Sequence, residues 1–139
     1  LSEPDSSAVA RPPEPDPSVT RAWIAAILAW IIPGGGHLFL GRRGRALVYF
    51  LVVVSMFGIG LLLGGKIYSI ESGAPLTFFA LFAELGAGAP FLLVKLLVSV
   101  PGDPAGATFE HGSAFMLTAG MMNLLAALDA HDIGLGRKP

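Results

Sequence analysis

Thirteen residues, Pro33-Gly34-Gly35-Gly36-His37-Leu38-Phe39-Leu40-Gly41-Arg42-Arg43-Gly44-Arg45, constrain this chain more than any other stretch. Apolar runs flank them on both sides. Between the runs come a helix-breaking proline, three glycines, one histidine, large apolar residues and a knot of arginines. In a bilayer this pattern reads as a hinge. A helix loosens near the interface, turns on glycine and is held there by arginine side chains.

The composition agrees. Hydrophobic residues make up 53% of the chain and charged residues only 14%, against about 25% charged in an average soluble domain. Such a chain cannot wet its surface, so it is expected to be an integral membrane protein in a lipid bilayer. With 139 residues it has room for one domain. A net charge of −1 provides no basic face for nucleic acid, and no soluble substrate is evident. The chain has no cysteine, which excludes disulfides, iron–sulfur clusters and thiolate metal sites. Its start is acidic and proline-rich, unlike a basic-then-apolar secretory signal. Leu1 stands where a Met would, which leaves the true start open.

Residues 1–20 carry five prolines and four acids. Alone they have too little apolar surface to offset their ordering entropy, so they read as a disordered tail preceding a bundle over 21–139. Ser18 to Arg21 offers helix-cap candidates. Ala22 to Leu40 is then long enough to span, with Pro33 breaking it near its end. Trp23 is placed as an interfacial anchor, and Trp30, deeper, as a packing residue. Ala46 to Gly65 is an uncharged run of 20 residues containing Gly60 and Gly64, a GxxxG pair suited to close helix packing. Pro75 to Val100 is apolar apart from Glu84 and Lys95 and is interrupted from Gly86 to Pro90. Ser113 to Leu128 forms a last span with Asn123 inside it.

These segments define an all-α fold: an integral membrane bundle of four transmembrane helices with short loops, its third helix kinked at Gly86–Pro90. Charge alone does not orient it. Four crossings place three arginines of loop 41–45 on one side and Arg11, Arg21, Lys66, Arg137 and Lys138 on the other. A re-entrant 75–100 fits the charges better, with both basic clusters on one face. Against it, 26 residues make a natural tilted span, so four crossings with both termini on one face are expected. A bacterial inner membrane is the expected location.

Three constellations bear on chemistry. Glu84 lies about 12 Å into its segment, near mid-membrane, where an acid costs on the order of 3 kcal/mol and needs a partner or a proton. Lys95, about 16 Å further along, is too far for a direct pair in a straight helix, while Asn123 could supply a hydrogen bond. The functional reading is a proton or ion path; the structural one is a neutral Glu bonded to a neighbouring helix. His37, after three glycines, could give one axial nitrogen to a heme or (bacterio)chlorophyll, or bond a carbonyl freed by Pro33. A bound lipid is the other cofactor such a bundle would hold. Asp129, His131 and Asp132 at the end of the last span read as a solvated helix end, because a metal site needs three or four convergent ligands. No nucleophile–base pair is present, so no enzyme is expected.

The hinge, through Pro33, Gly34, Gly36, His37, Phe39, Gly41, Arg42 and Arg45, with Arg43 between them, resembles the turn of the two-transmembrane-helix domain family. That likeness covers about residues 22–64 and departs in Leu38–Phe39, where the family favours an aromatic pair, and in Pro33. The stretch from Gly120 through Asn123, Asp129 and Asp132 to Arg137 and Lys138 is similar to the close of a family of small, uncharacterised bacterial four-span proteins that share the hinge. Both resemblances imply architecture and no catalytic residues. The expected role is a small accessory subunit packed on a larger membrane complex, an energy-converting one (respiratory or photosynthetic) being the expected host. The alternatives are a pigment or heme subunit using His37 and a proton path using Glu84.

Overall fold

The computed structural model describes residues 16–67, 75–98 and 105–139; the tail up to Pro15 and the stretches 68–74 and 99–104 lie outside the described residues. Described residues form six helices and no strand: α1 (Pro17–Ile31), α2 (Gly35–Phe39), α3 (Arg43–Leu62), α4 (Pro75–Gly86), α5 (Ala89–Leu97) and α6 (Phe109–Gly134). Among the described residues α3 and α6 are each long and apolar enough to cross a membrane, and the α4–α5 pair makes a third if counted as one bent span.

Helix α1 begins inside the stretch expected to be a tail. Asp16 is its N-cap, accepting the Ser18 amide at 2.9 Å, and Pro17 occupies the first turn. Proline is favoured there because its missing N–H would find no partner in the first turn and its φ is already helical. The cap is therefore Asp16 rather than a residue of Ser18–Arg21.

The two long helices lie side by side and antiparallel. At one end Gly60 and Gly65 abut Gly112: a Cβ on Gly112 would come within 2.6 Å of the Gly65 nitrogen. At the other end the start of α3 lies against Asp129 and Lys138, beyond the middle of α6. The packing residues are thus Gly60, Gly65 and Gly112. Gly64, expected to pair with Gly60, has left the helix and holds φ +77 in the turn that follows α3.

The remaining helices are two interrupted inserts. Helix α1 starts beside the end of α6, where Gly134 meets Ala22, and runs inward until the Trp30 carbonyl meets Asn123. The chain then reverses. Ile32 is extended, Gly34 takes φ +79, and α2 runs back along α1. Gly35 and Gly36 make this hairpin feasible, because side chains there would collide with the carbonyls of Leu28 and Ala25. The first apolar run is thus a hairpin, and α3 starts at the end of the bundle where α1 did.

Helix α4 docks on α6 through Gly120, where any side chain would strike the Ala83 carbonyl. The expected kink at Gly86–Pro90 is a break: the helix axis turns by 110°. Straight continuation would be 0°, so α5 lies across the bundle and tilts back. Gly88, at φ +69, allows the turn and presses against the Trp30 carbonyl. The chain after α3 and the chain before α6 meet at the same end, where Thr108 Oγ1 donates to the Leu63 carbonyl at 2.9 Å. The end of α3 and the start of α6 therefore lie at one end of the bundle, and the bent α4–α5 pair that comes between them in sequence is a broken span or a re-entrant loop.

Phe91 of α5 joins Val53, Phe57, Met116 and Ala119 in the main core, while alanines of α1 and α6 form a second, close-packed seam.

Candidate functional site

Two polar centres lie inside this apolar bundle. The first is at mid-length of α6. Asn123 is fully buried, and its Nδ2 donates to the carbonyls of Trp30 at 2.9 Å and Gly86 at 2.8 Å. Those carbonyls belong to the last turns of α1 and α4, where helical bonding runs out. Trp30 Nε1 closes the junction by donating to the Leu85 carbonyl at 3.1 Å. One amide thus satisfies two helix ends arriving from opposite directions. Asn123, expected as a hydrogen-bond partner for Glu84, gives its amide N–H groups to these two carbonyls. Glu84 is also fully buried, one turn before the break. It makes no ion pair with Lys95, whose Nζ lies instead 5.2 Å from the Phe91 ring centroid.

The second centre sits where α1, α2, α3 and α6 end or begin. The close approach of Gly36 to α1 turns His37 inward, where it has no exposed surface. Its Nε2 lies 3.1 Å from Asp129 Oδ2. A carboxylate only accepts, so Nε2 carries the proton. The imidazole also packs on Tyr49, with ring centroids 4.6 Å apart. Asp129 Oδ1 accepts from Lys138 Nζ at 2.9 Å, and Lys138 lies 3.6 Å from Asp132, which also faces Arg137 at 3.7 Å. Bonding to Asp129 holds the Lys138 ammonium above its ordinary pKa of 10.5. Beyond it, His131 meets Trp23 edge-on at 4.8 Å.

Asp129, read from the sequence as part of a solvated helix end, is therefore the partner of a buried histidine 92 positions away. The two residues lie in the two stretches singled out above, the glycine hinge and the C-terminal run, and folding joins them. No group of three or more His, Asp or Glu side chains among the described residues could hold a metal ion. The His37 ring is enclosed, with Asp129 on Nε2 and Tyr49 against its face, and its Nδ1 is buried without a hydrogen-bond partner.

Of the other hinge residues, Pro33 and Gly34 are buried at the turn between α1 and α2, whereas Leu38 and Phe39 point outward, 59% and 49% exposed. Gly41 holds φ +78 and lets the chain turn into α3. Arg42, Arg43 and Arg45 are exposed, and no carboxylate among the described residues pairs with them.

The fold and its polar centres define a small all-helical chain with two to three helices long and apolar enough to cross a bilayer, its interrupted segments tied together by one buried amide. It belongs to a family of unknown function, DUF6677, whose model matches residues 24–139. No curated protein and no solved structure matches the chain.

Proposed function

We propose that this chain is a non-catalytic accessory subunit of a larger membrane protein complex, with α3 and α6 crossing the bilayer and the α1–α2 and α4–α5 segments entering from opposite faces. The layout draws support from charge. Arg21, Arg42, Arg43, Arg45, Arg137 and Lys138 gather at one end, leaving only Lys66 and Lys95 elsewhere among the described cations. The positive-inside rule then has a clear answer, with that end facing the cytoplasm of a bacterial inner membrane. Four crossings would scatter the same residues over both faces.

The observation that carries the subunit role is α5. It buries Phe91 and leaves Leu92, Leu93, Leu96, Leu97 and Val98 exposed, Leu96 by 81%. A short helix lying across a bundle ends in carbonyls that hydrocarbon cannot satisfy, so such backbone is tolerated at membrane depth only under protein cover. Apolar helices of a partner would supply it. The test is the size of the species extracted in mild detergent. The chain should migrate in an assembly well above 14.4 kDa with a fixed ratio of partner, and Leu96→Arg should release it as a folded monomer. A wild-type chain that extracts alone, folded and monodisperse, would remove the proposal.

A second reading rests on Glu84, an acid with no exposed surface. It is a proton or ion path, which requires an energy-converting host. Its test is Glu84→Gln in the whole complex: unchanged proton-coupled activity ends it.

A further inference from the structure

The arginines of the hinge stand beside a cleft of about 560 Å³ between the start of α3 and the end of α6. Gly44, Arg45, Val48, Tyr49, Asp129 and Lys138 line it. We propose that this cleft holds the phosphate group of an anionic phospholipid, with the acyl chains running down α3 past Val48.

Charge is the first argument. Asp129 is the one acid in the cleft, and both of its oxygens are engaged, by His37 at 3.1 Å and Lys138 at 2.9 Å. Its charge is therefore spent on partners already in place. Arg45 in the wall and Arg42 one turn before it have no carboxylate partner among the described residues. Among the described residues at this end six cations, Arg21, Arg42, Arg43, Arg45, Arg137 and Lys138, meet three acids, Asp16, Asp129 and Asp132. The surplus is positive and lies at the rim of the cleft.

Shape is the second. Arg45, Val48 and Tyr49 follow helical spacing on one face of α3, and Arg42 is the N-cap residue at its start. Along that face the surface passes from guanidinium to aliphatic and phenolic side chains within two turns, the order of groups in a phospholipid from headgroup to tail. Val48 is 59% exposed and gives the tail an apolar wall. Nothing approaches within 4 Å of where a side chain at Gly44 would begin, so the mouth is open. The first amides of α3 also lack a side-chain cap, since Arg42 makes no capping bond. They add donors and a partial positive charge toward an incoming phosphate. Guanidinium forks suit phosphate oxygens better than ammonium groups do.

Position is the third. A basic pocket between membrane helices on the cytoplasmic side is where anionic headgroups are held, and the charge distribution puts this end there.

The experiment uses the full chain in detergent micelles containing phosphatidylglycerol and phosphatidylcholine in equal amounts, with native mass spectrometry counting retained lipid. Wild type should keep one phosphatidylglycerol in preference to phosphatidylcholine. Arg42→Gln combined with Arg45→Gln should weaken retention roughly 25-fold, at about fivefold for each basic residue near an anionic surface. The corresponding double lysine variant should retain most of the binding, which separates charge from damage to the fold. Equal retention of both lipids would overturn the proposal. So would a preference that survives in the double glutamine variant, or one abolished by added inorganic phosphate, since the cleft would then serve a free anion. Loss of the arginine effect on deleting residues 1–15 would also overturn it, because those arginines would then serve the acidic tail.

Discussion

The two inserts meet at Asn123 from opposite ends of the bundle, yet they are held by different means. The α1–α2 hairpin is anchored in depth: glycines bring α2 onto α1, His37 bonds Asp129, and Gly134 closes on Ala22. The α4–α5 insert is anchored at one line, through Gly120, Gly86 and the Asn123 amide, and α5 rests on the chain mainly through Phe91. The first insert completes itself, whereas the second leaves an apolar ledge. A broken helix in an apolar medium can be satisfied within the chain or by a neighbour, and this molecule does one of each.

Substitutions can widen or erase that contrast. The largest effect is expected at Gly120. Leucine there would drive α4 off α6, because the Ala83 carbonyl already occupies the space. Overpacking against backbone costs about 3 kcal/mol, and thermal unfolding in detergent should show it, with the α4–α5 insert becoming protease-sensitive first. Protection of α4–α5 equal to wild type would mean that Gly120 is not its anchor.

Asn123→Leu comes next, stranding the Trp30 and Gly86 carbonyls at once. Leaving buried acceptors without donors should cost about 2 kcal/mol. Both inserts should loosen together, as read by hydrogen exchange at Trp30 and Ala87. Loosening confined to one of them would deny the shared role of the amide.

At the other centre, Asp129→Ala removes the acceptor of the buried His37 Nε2–H. A loss of about 1.5 kcal/mol is expected, confined to α1–α2 and leaving α5 unchanged. The smallest effect belongs to Lys138. Its folded pKa is raised above 10.5, so its contribution is complete below that pH and fades as pH climbs through the folded value. A melting series taken from neutral pH to beyond 10.5 should fall slightly more for wild type than for Lys138→Gln. Asp16 works in the opposite sense. Its pKa is lowered from 3.8, first by the Ser18 amide and then by the Ser18 hydroxyl, so its cap is lost only as pH falls through the lowered value.

Much of this was legible in the sequence. Apolar runs and glycine breaks identify an all-helical chain suited to a membrane, and the hinge at Pro33–Arg45 turns where its proline and glycines require. The importance of Asn123 also follows from residue type, because a buried amide in an apolar run must bond something. The path of the broken segments was not legible. The nineteen residues from Ala22 to Leu40, with His37 alone polar among them, satisfy the length of a span, and the collisions that glycine avoids at Gly35 and Gly36 reveal a hairpin. Likewise 75–100 has the length of one tilted helix, and its fate depends on Gly88 meeting the Trp30 carbonyl 58 positions away. Asp129 was missed for the same reason: spacing on its own helix says nothing of a histidine on another.

The central claim is that α3 and α6 cross while both inserts return to the face they came from. The chain has no cysteine, so single cysteines can be placed at Arg42, Lys66, Ala105 and Lys138 and tested in sealed vesicles with a membrane-impermeant thiol reagent. The account predicts that positions 42 and 138 react from one side and 66 and 105 from the other. Reaction of 42 and 138 from opposite sides, with 66 and 105 likewise divided, would mean four crossings and would contradict it.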